Sequence, residues 1–269
     1  MAAGVLRAPI ITLLTDFGLG DAYVGSMKGV ILSLNPDARL VDLSHEVPPQ
    51  DILSGALVLQ SAWRYFPPGA IHLAVVDPGV GSQRRALAAA CREQFFVGPD
   101  NGLFSLVFAE QPPHTVVSLK NPHYFSPEVS GTFHGRDIFA PVAAHLSLGV
   151  PLTAFGPALL DPVGLDFPAS EFGEKEVQGQ IISIDHFGNL ISNIPFMALH
   201  AWLRGHSASL RVDGRVIPHL ATTYSEVSPG DLLALGGSHG YLEIACCQGS
   251  AALVLNAAVG ARLVLSTED

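Results

Sequence analysis

The chain lacks the features of two common functional classes. Its 269 residues include only 14 Lys and Arg but 24 Asp and Glu, which gives a formal net charge of −10. The 14 cations form no basic stripe of the kind that binds nucleic acid phosphates. The sequence has three cysteines, Cys91, Cys246 and Cys247. They form no CxxC pair, and an odd number of cysteines does not indicate a disulfide framework. We therefore expect no nucleic acid partner and a location in the reducing cytoplasm.

No uninterrupted apolar run is long enough to cross a membrane. The apolar run at 9–14 is followed directly by Asp16, and the longest C-terminal run, 251–265, contains Asn256, Gly260 and Arg262. We therefore expect no membrane partner. A content of 48% hydrophobic and 14% charged residues is instead typical of a packed globular protein.

Strand-like runs alternate with helical patterns through the first half of the chain. This order predicts a three-layer α/β domain over residues 1–160, with a largely parallel sheet covered by helices. The predicted strands are 10–14, 39–43, 70–76 and 94–97, and the predicted helices are 21–34, 51–66 and 134–148.

The composition changes after the first 150 residues. Prolines without apolar periodicity predict a linker at 161–175. Short strand-like runs then follow, with turn residues between them, and predict a smaller all-β domain over 176–269, a barrel-like sheet or a sandwich. These runs are 177–184, 209–212, 232–235, 241–245, 252–255 and 262–265.

Polar residues directly after buried strands are the first candidates for chemistry, because ligands of open α/β sheets bind where the strands end. Asp16 follows the first strand, where a carboxylate can bind a sugar diol or simply cap a turn. Asp21 is more typical of a helix cap, although it can also face the crevice. Asp77 directly follows the apolar strand at 70–76. It is either a functional acid at the mouth of the crevice or part of an Asp-Pro-Gly turn in which it forms an ion pair with Arg84.

His134 lies between Gly131 and Gly135, at the start of the last helical pattern of the first half. A metal centre built from Asp16, Asp77, His134 and Asp137 is the rival interpretation. The sequence contains no HExxH, no paired Cys-His spacing and no DxDxDG loop, so we predict no metal. A serine hydrolase is not indicated either, because the GxSxG motif is missing.

Two polar clusters interrupt strand-like runs in the second half. Asp185 and Asn189 lie in the first cluster, and Ser238 lies in the second. Such clusters are commonly hairpin turns, but their acid, amide and hydroxyl groups can also bind an amino acid and an adenine edge.

Taken together, the motifs are more specific than any one of them. Their order and spacing resemble the S-adenosylmethionine hydroxide adenosyltransferases, a family related to the fluorinating and chlorinating enzymes that use the same substrate. The resemblance covers about residues 10–265. The motifs are TDFG followed by DAYVGSMKG, then DLSHEV, VVDPGVG with its Arg, VGPDNGL, TFHGRDIFAP and IDHFGNLISN.

The resemblance implies hydrolysis of S-adenosylmethionine to adenosine and methionine, with no cofactor, by a homotrimer whose sites lie between neighbouring subunits. The family's hydrolytic set matches Asp77, Arg84 and His134 of this sequence, and Arg85 does not match it. Two alternatives remain: a halogenase that uses S-adenosylmethionine, and a protein that binds adenosine or S-adenosylmethionine without turnover.

Substrate-binding positions also follow from the resemblance. Asp16 matches the ribose-binding acid; the neighbouring Asp21 is a further candidate substrate contact on its position alone, since it can face the crevice. Asp185 and Ser238 match groups near the methionine end, and Asn189 and Tyr224 match adenine contacts. Halogenating relatives have Tyr at position 77, a Tyr-Ser pair at 134–135 and Trp at position 50, so the resemblance implies that a halide pocket is absent.

Overall fold

The computed structural model describes residues 8–267, and they form two compact units that divide between Asp166 and Phe167. The division falls within the predicted linker at 161–175. Each unit has a hydrophobic core of its own, so each is described by itself.

The first unit is built on a six-stranded sheet with strand order β2-β1-β3-β5-β4-β6. The neighbouring pairs among β2, β1, β3 and β5 are parallel, and β4 is antiparallel to both of its neighbours. The largely parallel sheet predicted from the sequence is therefore confirmed. The strands are β1 (Ile10–Thr15), β2 (Arg39–Ser44), β3 (Ile71–Val75), β4 (Ala86–Cys91), β5 (Gln94–Pro99) and β6 (Thr115–Ser118).

Helices cover both faces of this sheet because alternate strand residues point to opposite sides. Ile11 and Leu13 of β1 pack in one apolar cluster with Met27, while Leu14 packs in another with Leu59. The result is the predicted three-layer arrangement. The helices are α1 (Tyr23–Leu34), α2 (Ile52–Ala62), α3 (Ser105–Glu110) and α4 (Ala140–Ser147), with 3-10 turns at Trp63–Tyr65, Pro122–Tyr124 and Leu152–Ala154.

Three helix boundaries differ from the sequence prediction. Asp21 does not cap α1, because Ala22 is the N-cap residue and no side chain caps the helix. Helix α2 ends at Ala62, and a 3-10 turn replaces its predicted last residues. The helix predicted at 134–148 begins with a π-helical turn, Gly135–Phe139, before α4.

The second unit is a barrel-like sheet with strand order β11-β10-β15-β8-β9-β14-β13-β12, and β7 pairs with β8. Its buried face encloses an apolar core that includes Val177, Leu242 and Leu263. The barrel-like prediction is confirmed. The strands are β7 (Glu171–Phe172), β8 (Glu176–Ile184), β9 (Leu190–Pro195), β10 (Ala208–Val212), β11 (Arg215–Ile217), β12 (His219–Leu220), β13 (Leu232–Gly236), β14 (Tyr241–Cys246) and β15 (Arg262–Thr267), with a 3-10 turn at Tyr224–Glu226.

Two short helices in this unit were not predicted. Helix α5 (Phe196–Leu203) follows β9, and the predicted strand at 252–255 is wrong, because the chain there forms α6 (Ala251–Leu255). The Ser250 hydroxyl caps α6 by accepting from the Leu253 amide at 3.2 Å, and Asn256 ends it in a left-handed conformation. A short apolar run is compatible with a strand or a helix, and here the capping residues on both sides stabilise a helix.

No helix within residues 8–267 has the length and apolar character that a membrane crossing requires.

Candidate active site

The candidate residues of the first unit follow strands that end at one edge of the sheet. Strands β1 and β3 are parallel neighbours, and Thr15 is paired with Val75 near their ends. Asp16 therefore leaves the sheet at the same edge as the loop that begins with Asp77, which is the edge where ligands of open α/β sheets bind.

Asp77 and Arg84 form a two-pronged ion pair across their loop. The Arg84 Nε donates to Asp77 Oδ1 at 2.8 Å, and Nη2 donates to Oδ2. The side chains are only 5% and 11% exposed respectively, so the pair lies largely out of solvent. Two parallel N–H···O bonds fix the plane of the guanidinium against the carboxylate.

His134 completes the cluster through the same guanidinium. The Arg84 Nη2 lies 3.0 Å from His134 Nδ1. Because a guanidinium can only donate, Nδ1 must accept, so the imidazole is neutral and carries its proton on Nε2. Burial, followed by the positive charge of Arg84, holds the pKa of His134 below its ordinary 6.5, although Asp77 and Asp137 act in the opposite direction. The Nε2–H edge is thus available as a donor.

The loops that carry these three residues are packed backbone to backbone. Gly81 adopts a φ of +77°, and a Cβ at this position would overlap the carbonyl oxygen of Gly131. Only glycine allows both the left-handed conformation and this close approach. The contact holds the loop of Asp77 and Arg84 against the loop that leads to His134.

Asp137 fastens the second loop to the π-helical turn. Its side chain is buried, and its Oδ2 accepts from the Ser130 amide at 2.8 Å while Arg136 Nε donates to Oδ1 at 2.6 Å. Burial alone would raise the pKa of Asp137, but the hydrogen bonds from Arg136 and Ser130 outweigh it and leave the pKa below its usual value. Both carboxylate oxygens already accept hydrogen bonds from Ser130 and Arg136, so Asp137 shapes the loop.

Asp16 and Asp21 differ in their surroundings. Asp16 is half-buried, and its Oδ2 accepts from the Gln50 amide at 2.8 Å, while Oδ1 has no partner among the described residues. Gln50 itself is held at a φ of +67°. Asp21 is exposed and makes no hydrogen bond to any other residue of the described part of the chain. The structure therefore brings Asp16 into an ordered position and leaves Asp21 on the surface.

Within the second unit, Asp185 and Asn189 meet at the tip of the β8–β9 hairpin. Asp185 Oδ1 accepts from the amides of Phe187 and Asn189, each at 2.9 Å, and Oδ2 accepts from Asn189 Nδ2 at 2.9 Å. This is the turn-forming role that a polar hairpin tip commonly has. The Asn189 side-chain oxygen has no hydrogen-bond partner among residues 8–267, and such an acceptor is what an exocyclic amine requires.

Tyr224 takes part in a cluster centred on Glu243, a residue that the sequence analysis missed. The Tyr224 hydroxyl donates to Glu243 Oε1 at 2.6 Å, and His239 Nε2 lies 3.2 Å from Oε2. Burial raises the pKa of Tyr224 to about 12, and the Glu243 carboxylate and the charge of Asp185 add to the effect. Ser238 is exposed beside His239 and makes no hydrogen bond to another described residue.

Glu243 is inconspicuous in the sequence because it lies in the middle of β14. An acid flanked by apolar residues in a strand is the signal that can reveal it, since buried carboxylates require partners. Its own pKa is lowered: burial would raise it, but the hydrogen bonds from His239 and Tyr224 outweigh burial.

Metal binding finds no geometric support. Within residues 8–267, no three His, Cys, Asp or Glu side chains are arranged so that they could hold an ion together.

The fold and this site together define a class of protein: an α/β unit with a carboxylate–guanidinium–imidazole cluster at its sheet edge, followed by a barrel-like β unit. Residues 11–156 match the model of the SAM hydroxide adenosyltransferase N-terminal domain, and residues 179–264 match that of the C-terminal domain. The chain therefore belongs to the SAM hydroxide adenosyltransferase family.

Similar proteins agree with this assignment. The chain is 41% identical over 259 residues to the (R)-S-adenosyl-L-methionine hydrolase of Salinispora tropica, covering 95% of this chain and 97% of that protein. It is 29% identical to the fluorinase of Nocardia brasiliensis, covering 94% and 95% of the two chains. A crystal structure of a Thermotoga maritima protein superposes with a TM-score of 0.89 at 37% identity, covering 95% of this chain and 99% of that one.

Proposed function

We propose that the protein hydrolyses S-adenosyl-L-methionine to adenosine and L-methionine. The observation that carries the proposal is the cluster of Asp77, Arg84 and His134, in which a neutral imidazole is fixed by a charge-compensated guanidinium. The names of relatives 41% identical to this chain support the same reaction.

The reaction is a displacement at the ribose C5′ by a water-derived hydroxide. The new bond joins the water oxygen to C5′, the C5′–S bond breaks, and its electron pair remains on sulfur. The sulfonium thus becomes the neutral thioether of methionine, and one water proton is released. The leaving group needs neither protonation nor a metal ion, so the chemistry requires no cofactor.

The protein must therefore position and activate water. Arg84 would stabilise developing hydroxide electrostatically, and Asp77 would hold Arg84 and orient the water. Because Nδ1 of His134 accepts from Arg84, its Nε2–H favours the orienting role over that of a base that takes the water proton. Alignment of water, C5′ and sulfur can contribute about 7–11 kcal/mol in well-oriented systems.

Substrate contacts are part of the same proposal. The unpartnered Oδ1 of Asp16 suits a ribose hydroxyl, and the free side-chain oxygen of Asn189 suits the adenine amine. Tyr224 is proposed to lie near the adenine. Asp185 and Ser238 are proposed to lie near the methionine end, and Asp21 is proposed as a further substrate contact.

Halogenation is the second candidate activity, and packing at Gly135 weighs against it. A Cβ at Gly135 would lie 3.2 Å from both the Met27 sulfur and the Phe133 ring. The serine that the halogenating relatives carry at this position has little room here. Asp77 and His134 also replace two tyrosines of those relatives.

A protein that binds adenosine or S-adenosylmethionine without turnover is the third candidate. The intact cluster of Asp77, Arg84 and His134 argues against it, because a binding protein needs no ordered water-activating group. Binding without release of methionine over a long incubation would establish this candidate.

We also propose that the active form is a homotrimer with its sites between neighbouring subunits, and that it works in the cytoplasm. The family resemblance supports the trimer. Three cysteines that form no disulfide, Cys91, Cys246 and Cys247, support the reducing compartment. Sedimentation of the purified chain at several concentrations tests the assembly.

Chromatography of the products tests the activity. The purified chain is incubated with S-adenosylmethionine alone and with added chloride or fluoride. Adenosine and methionine in all three samples are expected, whereas a 5′-halo-5′-deoxyadenosine would favour the halogenase. Asp77→Ala and His134→Ala should each lower turnover strongly while substrate binding persists, and near-normal turnover in either variant would refute the role assigned to that residue.

A further inference from the structure

Phe139 lies directly beside the guanidinium of Arg84. The Arg84 Cζ is 5.3 Å from the centre of the Phe139 ring, and Phe139 is fully buried. A guanidinium within about 6 Å of a ring centre is attracted by the negative face of the aromatic system, most strongly where water is excluded.

The contact depends on the π-helical turn that follows His134. Five residues along an α-helix turn the chain through about 500°, so residues five apart point about 140° away from each other. In a π-helical turn the i→i+5 bond instead stacks them. The amide of Ala140 bonds to the carbonyl of Gly135 in this way. His134 and Phe139 can therefore both contact Arg84.

Arg84 is thereby held from four directions, one of which is the Arg85 carbonyl, to which its Nη1 donates at 3.4 Å. Its Nε and Nη2 donate to the two oxygens of Asp77, its Nη2 also donates to His134, and its Cζ lies over the Phe139 ring. The two Nη2 protons are used by Asp77 and His134. The contact with the Phe139 ring therefore adds to these hydrogen bonds in holding the guanidinium in place.

We propose that Phe139 is a positioning residue of the active site, which holds Arg84 through a cation–π contact so that the guanidinium stays aligned with both Asp77 and His134. This inference rests on the proposed function of Arg84 in activating water. The nearby charged groups that also act on His134 are Arg84, Asp77 and Asp137.

Fluorinated phenylalanines test the electrostatic part of the contact. Mono-, di- and trifluorophenylalanine at position 139 preserve the ring's shape but progressively weaken its negative face. We expect kcat to fall stepwise, by about tenfold in total, with KM unchanged. The matched control is Phe155, which is also fully buried in the same apolar cluster and has no contact with Arg84. The same series at Phe155 should leave kcat unchanged.

A spectroscopic readout separates this inference from the proposed function. Titration of His134 by nitrogen NMR reports its tautomer and pKa whether or not the chain turns over S-adenosylmethionine. The positive charge of Arg84 helps to lower the pKa of His134. If fluorination at position 139 lets Arg84 move away, the pKa of His134 should rise towards 6.5 along that series, whereas the series at position 155 should leave it unchanged. If Phe139→Leu lowers kcat but the fluorinated series changes neither kcat nor this pKa, Phe139 is only a packing residue and the proposal is wrong. If the parent chain makes no adenosine but the pKa moves as expected, the contact stands and the assigned reaction fails.

Discussion

Two carboxylate clusters, one in each unit, solve the problem of a buried negative charge differently. Asp77 is compensated by Arg84, a group that remains charged at every accessible pH. Glu243 is held by the phenol of Tyr224 and the imidazole of His239. The first arrangement fixes an ionised pair beside a neutral imidazole, whereas the second uses a phenol and an imidazole in place of a permanent cation. The first is thus suited to activating water, and the second to shaping a binding surface.

Replacing the permanent cation should have the largest effect. Arg84→Lys keeps the positive charge but loses the planar fork that reaches both Asp77 and His134, so we expect kcat to fall about 100-fold or more. Arg85→Lys is the matched control, since Arg85 pairs with Asp100 and Asp161 instead. Steady-state kinetics of both variants, with circular dichroism to verify folding, measures the difference. Equal losses in the two variants would contradict the special role of Arg84.

Separating the two loops should have the next largest effect. Gly81→Ala forces a Cβ against the Gly131 carbonyl and should move Asp77 and Arg84 away from His134, lowering kcat about tenfold. Gly69→Ala is the control, because Gly69 has a similar φ of +84° but open space around its Cβ position. Both variants carry about 1–2 kcal/mol of left-handed strain. Only the first should lose activity at a temperature where both are folded, and a similar loss in both would show that strain alone is responsible.

The pH dependence of turnover sharpens the comparison. His134 must be neutral to accept from Arg84, and its pKa lies below 6.5. Turnover should therefore be more than half-maximal at pH 6.5, level off as the pH rises further, and fall about tenfold per unit once the pH is well below this lowered pKa. His134→Gln, whose amide oxygen can accept from Arg84 without titrating, should lose this acidic limb. A limb with its midpoint above 6.5 would contradict the assigned tautomer.

Removing the charge of the second cluster should have the smallest effect on turnover. Glu243→Gln preserves the shape of the side chain but removes the negative charge beside Tyr224. The pKa of Tyr224, about 12 in the parent, should fall towards 10, since Glu243 contributes to its elevation. Ultraviolet titration of the phenolate, with Tyr224→Phe to assign the signal, measures the shift, and kcat should change less than in Arg84→Lys. An unchanged phenol pKa would show that Glu243 does not control Tyr224.

The sequence predicted those parts of the fold that local patterns specify. Buried strands such as 70–76 are continuous apolar runs, and parallel strands carry the residues that follow them to one edge of the sheet. Asp77 was therefore predictable as a candidate at this edge, and Arg84 as its ion-pair partner across the turn. The ion pair could be inferred, but whether it serves catalysis could not, because a structural turn uses the same residues.

Other features depend on contacts that no local pattern encodes. The π-helical turn at 135–139 follows an apolar spacing that also fits an α-helix, so the contact of Phe139 with Arg84 was not predictable. Glu243 was missed because its partners come from two turns outside its strand: Tyr224 lies in a separate 3-10 turn, and His239 lies in the turn that joins β13 to β14. The short apolar run at 252–255 was misassigned because its caps lie outside it.

The central claim is that water attacks the ribose C5′ of S-adenosylmethionine, and one isotope experiment tests it directly. The purified chain is incubated with the substrate in water enriched in oxygen-18, and the products are analysed by mass spectrometry. The account predicts one labelled oxygen in adenosine, at the 5′-hydroxyl, and none in methionine. Unlabelled adenosine, or label in an amino acid product released with methylthioadenosine, would contradict it.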